Sequence, residues 1–338
     1  MAPLEVTRAQ ILAFRRRTNA LDERLPKGKK SLRTAAWAGL QDSMPRAALL
    51  SLHARVDGAA HTTWEDPALV QVWGPRYQVY VVAAPDLALF TWARMPESGK
   101  TRAVAEGLVE RIEAALQGGR MRDRDLGEAM GGVGNSLRYA TLTGRLAIRW
   151  EGARAPHVWI VPPPKTTVEK ARAELARRYL HIYGPSTADA FAKWAGIGAK
   201  EAANTFASLD RELIGVGDAQ LLAADEAALR APAAPPSPAR LLPSGDAYWL
   251  HTTAHERALL VPNDRRRNEL WTPRVWPGAV LVDGEIVGTW RRAKRVMTID
   301  TWKKLSGAAR DAIVAEADTL PLPDPGEGMA VTFGSRHT

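Results

Sequence analysis

Residues 101–164, TRAVAEGLVERIEAALQGGRMRDRDLGEAMGGVGNSLRYATLTGRLAIRWEGARAPHVWIVPPP, decide how the rest of the chain is read. Val104, Leu108, Val109, Ile112 and Leu116 recur at helical spacing, so 101–117 is expected to form an amphipathic helix, stopped by Gly118-Gly119. A short second helix is expected from Asp123, and a third over 133–144, capped by Asn135 or Ser136. Leu146–Trp150 and His157–Val161 then read as two strands around a turn. Three helices followed by a two-stranded hairpin is the winged-helix plan, a helix-turn-helix carrying a β wing.

The same order of elements recurs on either side, as architecture rather than residue identity. Upstream, helices are expected over 7–21, 31–40 and 45–56, with strands within 69–83 turning at Gly74-Pro75. Downstream, helices are expected over 168–184, 187–196 and 198–209, with a wing over 213–224 turning at Gly217-Asp218. A Pro-rich linker follows, RAPAAPPSPAR at 230–240, and then a β-rich region. Within it, Asp283-Gly284 is a strong hairpin turn inside AVLVDGEIVGTWRRAKRVMTI (279–299), and Ser306 caps a closing helix over 306–320. The expected fold class is α+β: winged-helix modules over 1–99, 100–165 and 166–231, a linker over 232–240, and a β-rich region over 241–338.

Composition narrows the function classes. The chain of 338 residues has no cysteine, which removes disulfides, thiolate zinc sites, iron–sulfur clusters and thiol nucleophiles. Lys plus Arg number 46 against 37 Asp plus Glu, a net charge of +9 that suits a polyanion partner. No apolar run is long enough to span a bilayer and no secretory leader is evident, so a cytoplasmic, nucleoid-associated monomer is expected. His251 and His255 have metal-like spacing but no obvious third ligand, GGVGNS (131–136) lacks the setting of a dinucleotide fingerprint, and no cofactor is expected.

Four strings taken together resemble one family: AWAGLQDSMPRAALLSLHARV (36–56), ELARRYLHIYGPSTADAFAKWAG (174–196), ARLLPSGDAYWL (239–250) and VLVDGEIVGTWRR (280–292). In order and spacing they are similar to the bacterial winged-helix proteins related to the AlkZ-like alkylpurine DNA glycosylases. The resemblance runs from about residue 7 to 320. It implies three tandem winged-helix modules in a C-shaped arrangement that grips duplex DNA, and excision of N-alkylated purines, including bulky and cross-linking adducts. It also implies a Gln-x-Gln or Gln-x-Asp pair in the first module. Gln41 matches the first position; the second falls on Ser43, which is neither, and Asp42 lies one place out of register.

A glutamine suffices where the leaving group is already activated. An alkyl group on purine N7 or N3 makes the base cationic, so the enzyme needs only to place a water below C1′ and favour an oxocarbenium-like state. The residues 41–43 are expected in a turn at the N-terminus of the third helix, where Asp42 or Ser43 equally serves as a plain helix cap, with Pro45 in the first turn. Candidate catalytic residues are therefore Gln41, Ser43 and Asp42. Candidate DNA contacts are Arg138 on the third helix of module two, Trp73 beside Gly74-Pro75 as a stacking residue, Arg266 within the RRR run, and Arg291, Arg292, Lys294 and Arg295 on a hairpin. FRRR (14–17) and KGKK (27–30) are further basic clusters; Trp37 and Trp194 read as core. Two function classes stay open: a monofunctional DNA glycosylase, and a DNA-binding protein without catalysis, such as a lesion sensor or regulator.

Overall fold

The computed structural model describes residues 4–44, 46–132, 134–152, 154–232, 238–322 and 328–335. It is a mixed α+β structure in two compact units. One consists chiefly of Ala36–Arg46 and Glu65–Ala224; the other takes Glu5–Ala35, Ala47–Trp64 and Asp225–Thr338. Residues 1–99 thus contribute to both units, whereas 100–224 lie wholly in the first.

The first unit is built on a six-stranded sheet. Its strands are β1 (Leu40–Gln41), β2 (Leu69–Trp73), β3 (Val79–Ala83), β4 (Met121–Arg122), β5 (Leu146–Arg149) and β6 (His157–Ile160). They lie in the order β1-β3-β2-β5-β6-β4. The two hairpins expected as separate wings are joined, because β2 pairs with β5 at Gln71↔Ile148. The helix Lys100–Leu116 buries Leu108, Val109, Ile112 and Leu116 against Leu146, Ile148 and Val158, while Val104, expected on the same apolar face, is 40% exposed. Gln117 ends it in the left-handed conformation, one residue before the expected Gly pair. The expected third helix is a 3-10 segment, Gly134–Thr143, and the side chain of Asn135 lies outside the described residues.

Helices Val168–Tyr183, Ala188–Ala195 and Ala199–Ser208 follow, the first two capped by Thr167 and Thr187, and the hairpin of β7 (Leu213–Val216) and β8 (Ala219–Leu222) closes the unit. Trp194 is core as expected, packed among Tyr179, Tyr183 and Phe191. Trp37 is only half-buried, with the Arg178 guanidinium 4.1 Å from its ring centre.

The second unit carries a five-stranded sheet of β9 (Arg240–Leu242), β10 (Gly278–Val282), β11 (Glu285–Ala293), β12 (Val296–Thr301) and β13 (Ala330–Ser335), ordered β13-β12-β11-β10-β9. Asp283 and Gly284 both take positive φ, as a two-residue hairpin turn requires. Both faces of the sheet are covered, which is why β10 reads as an unbroken apolar run. Leu242, Ala279, Leu281 and Ile286 meet Leu12, Leu260 and Leu270; Leu241, Val280, Val287 and Ile299 meet Ile313 and Ala317 of the helix Gly307–Asp318, capped by Ser306 as expected. A fully buried Arg55–Asp246 pair, 2.7 and 2.8 Å across the fork, ties the helix Ala47–Arg55 to this unit. Of the Pro-rich linker, 233–237 lie outside the described residues.

In the same helix, His53 is buried, with Nε2 3.1 Å from Thr319 Oγ1. Burial, reinforced by Arg24 and Arg240, depresses its pKa from 6.5 to about 3. Between those values the unfolded chain holds a proton that the folded chain refuses, so stability falls as pH drops through that window, by about 1.4 kcal/mol per pH unit. Urea unfolding at pH 7 and pH 4.5 is expected to show the wild type losing about 2 kcal/mol more than His53→Gln, which has no such proton to bind. Equal losses contradict this account of His53.

Candidate active site

The segment Gly39–Ser43 is not a turn at a helix start. Leu40 and Gln41 form β1, which runs antiparallel to β3 with Leu40↔Val81 and Gln41↔Tyr80, and the Asp42 amide donates to Val79 O at 2.7 Å. The following helix begins only at Ala47, Asp42 Oδ2 and Ser43 Oγ are engaged by Gln71 and Gln78, and Pro45 lies outside the described residues. Gly39, at φ 71°, is required by the entry into the strand: a Cβ there would sit 2.8 Å from the Phe90 ring.

Strand geometry sends alternate side chains to opposite faces. Leu40 and Asp42 are buried on one face; Gln41 and Ser43 share the other and are half-buried. Continuing the β1–β3 register places Ser43 opposite Gln78, and Ser43 Oγ donates to Gln78 Oε1 at 2.8 Å. Gln41, Ser43, Gln78 and Tyr80 therefore form one polar face.

Asp42 points the other way, at 1% exposure. Gln71 Nε2 donates to its Oδ2 at 2.9 Å, the Trp150 amide donates to Gln71 Oε1 at 2.7 Å, Arg46 Nη1 donates to Trp150 O at 3.3 Å, and the same nitrogen stands 3.7 Å from Asp42 Oδ2. This closed ring joins β1 to β2 and to the residue after β5. Arg46 holds a positive φ within it, and burial lowers the pKa of its guanidinium.

Gln41 is clamped. Arg76, in the β2–β3 connection, donates from Nη2 to Gln41 Oε1 at 3.1 Å and from Nη1 to Trp194 O, and Tyr80 Oη lies 3.5 Å from the same Gln41 oxygen. A guanidinium only donates, so the Gln41 carbonyl must face Arg76, leaving Nε2 turned away from it. Arg94 lies behind, 3% exposed, donating to Ala195 O and Gly74 O and standing 4.7 Å from the Tyr77 ring centre. Burial lowers its pKa to about 10, and burial raises that of the Tyr80 hydroxyl. Among the described residues neither Arg76 nor Arg94 is paired with a carboxylate, so the ground beside Gln41 is electropositive and suits an anion such as a phosphate.

The other candidates are dispersed. Trp73, at the end of β2, is 8% exposed and packs among Leu108, Ile112 and Leu146; a stacking role would require that core to open, because the aromatic face serves packing. Arg138 is half-buried on the 3-10 segment, beside Tyr139, which packs edge-on to Tyr77. Arg266 and the basic hairpin belong to the second unit. Arg266 donates to Trp302 O at 3.0 Å. Arg291 and Arg292 are exposed near the end of β11, and Lys294 and Arg295 make the turn to β12. The expected phosphate contacts of FRRR are corrected for two members: Arg15 and Arg16 are buried, the latter on Asp22 at 2.7 Å, because they lie on the helix face turned into the unit. His251 precedes a helix that contains His255, so the two are not on successive turns of one helix, and no group of three or more metal-ligating side chains is found among the described residues.

Arg76, Gln78, Tyr80 and Gln71 carry no signal in the sequence alone. The hairpin containing them is legible, but which of its residues meet β1 depends on a long-range register that no local pattern encodes.

Comparisons with known proteins bear on this arrangement. Among curated proteins there is no match. Streptomyces sahachiroi DNA glycosylase AlkZ is similar in fold, with a TM-score of 0.79 and 18% identity over 98% of this chain and 100% of that one. A model of the DNA glycosylase AlkZ-like family matches residues 34–321, a span that takes in the Gln41 face, Arg76, Arg94 and the basic hairpin alike. The chain belongs to the AlkZ-like DNA glycosylase family.

Proposed function

We propose that this protein is a monofunctional DNA glycosylase that hydrolyses the N-glycosidic bond of cationic N-alkylated purines in duplex DNA. It acts as a cytoplasmic, nucleoid-associated monomer through three winged-helix modules over 1–99, 100–165 and 166–231, with a linker over 232–240 and a β-rich region over 241–338. The observation that carries this reading is the fixed Gln41 amide, held by Arg76 on a strand face shared with Ser43. Family membership supports it.

A cationic base needs little help to leave, so a neutral amide placing one water below C1′ meets the chemical demand. An uncharged purine demands protonation or a carboxylate, and the carboxylate in this segment, Asp42, is buried on the opposite face. We assign Asp42 the role of holding the strand, and Gln41 and Ser43 the substrate side. The Arg76–Arg94 charge by itself opposes a cationic transition state; a backbone phosphate seated there offsets it and brings the lesion nucleotide to Gln41. Arg138, Arg266, Arg291, Arg292, Lys294 and Arg295 supply further phosphate contacts.

A second reading, a DNA-binding protein without catalysis, draws on Ser43, which brings neither amide nor carboxylate to its place. Duplex carrying N7-methylguanine separates the two. Release of free base by the wild type, slowed roughly 10²–10⁴-fold by Gln41→Ala with binding retained, is the expected result. Binding without any base release favours the second reading. For the hairpin, replacing Arg291, Arg292, Lys294 and Arg295 by Ala is expected to flatten the plot of log affinity against log salt by about 0.9 for each phosphate no longer neutralised. An unchanged slope removes the hairpin from the interface.

A further inference from the structure

Taking base excision as the reaction, we propose that Gln78 is the second substrate-side amide: Gln41 and Gln78 hold the attacking water between them, and Ser43 positions Gln78. Gln78 stands opposite Ser43, and so is the diagonal neighbour of Gln41 on the same face. Diagonal neighbours have Cβ atoms roughly 7–8 Å apart, a gap that two long side chains close with one water between them.

The hydrogen bonds give the two amides different chemistry. Gln41 Oε1 is engaged by Arg76, which only donates, so Gln41 offers the outer face a donor and nothing else. A donor alone holds a water by one lone pair and leaves its hydrogens undirected. Gln78 Oε1 accepts from the Ser43 hydroxyl, a group that donates and accepts equally well. Turning the Gln78 amide half a turn puts Nε2 on Ser43 Oγ and frees Oε1 while the hydrogen bond to Ser43 persists. Arg76 forbids the same turn in Gln41. The site thus combines a locked donor with an adaptable acceptor.

A water donating one hydrogen to Gln78 Oε1 and accepting from Gln41 Nε2 keeps a lone pair for C1′. The C1′–N9 bond breaks with its electron pair passing to the base, which leaves neutral. The water oxygen bonds to C1′, and its proton passes to solvent. Ser43 is then a positioning residue that works through Gln78, and the side chain supplying the second amide comes from the β2–β3 connection, at the residue before β3, rather than from the segment that carries Gln41.

Single-turnover release of N7-methylguanine from a duplex oligonucleotide, by the full chain and corrected for uncatalysed loss, tests this. Gln78→Ala is expected to slow release about 10²-fold with duplex affinity unchanged, and Ser43→Ala to give a smaller loss that Ser43→Thr restores. Gln78→Glu is expected to stay active at neutral pH and to acquire an acid limb near the carboxylate pKa of about 4.3, absent from the wild type; a merely structural Ser43–Gln78 bridge moves no such limb. Wild-type release with Gln78→Ala at the same rate overturns the role of Gln78 and leaves the glycosylase reading standing; no release by the wild type overturns both. Should Gln78→Ala lose its folded circular-dichroism signature, Gln78→Glu decides: the acid limb supports the proposal, and a flat or inactive profile overturns it.

Discussion

A carboxylate taken out of water must be answered by donors, and the arrangement around Gln41 depends on how Asp42 is answered. Gln71 and Arg46 face its Oδ2, and the Trp150 backbone closes the ring by donating to Gln71 and accepting from Arg46. Leaving such a group unpaired would cost several kcal/mol, on the order of 3–5, so the ring fixes which face Asp42 takes. Once it is fixed, the period of two in a strand fixes the rest: Gln41 and Ser43 go to the other face, opposite Tyr80 and Gln78. A Gln-x-Ser spacing that looks arbitrary in a turn is, in a strand, the spacing that puts two side chains on one surface.

Electrostatics gives this surface its direction. Arg76 holds the Gln41 oxygen, neither it nor Arg94 is paired with a carboxylate among the described residues, and Arg94 is buried deeply enough for its own pKa to fall. A buried cation without an acidic partner is costly, and here its cost is offset by backbone carbonyls of Gly74 and Ala195 and the Tyr77 ring. The orientation of the Gln41 amide follows from the same charge, since its oxygen is drawn to the guanidinium.

Much of the fold is legible in local pattern. The helix Lys100–Leu116, the hairpins β5–β6 and β7–β8, and the Asp283-Gly284 turn follow from apolar periodicity, turn chemistry and caps, all of which act within a few residues. The candidate site is legible only in part. The family resemblance singles out Gln41 and Ser43, but their segment looks like a helix-entry turn, because a two-residue strand has no periodicity of its own and exists only through its pairing with β3. Gln78, Arg76 and Arg94 stay hidden for the same reason: each reaches the site through tertiary contact. Arg15 and Arg16 show the converse error, basic residues that look like a surface and are buried.

The central claim is that the lesion nucleotide docks on the β1–β3 face at Gln41. The most direct test is the structure of the protein bound to duplex DNA carrying a cationic pyrrolidine in place of one deoxyribose, a mimic of the oxocarbenium-like sugar. The account predicts the pyrrolidine against the Gln41–Gln78 face, with a water between ring and amides and a backbone phosphate on Arg76. A pyrrolidine bound elsewhere, with Gln41 still clamped and no DNA phosphate near Arg76, would contradict it.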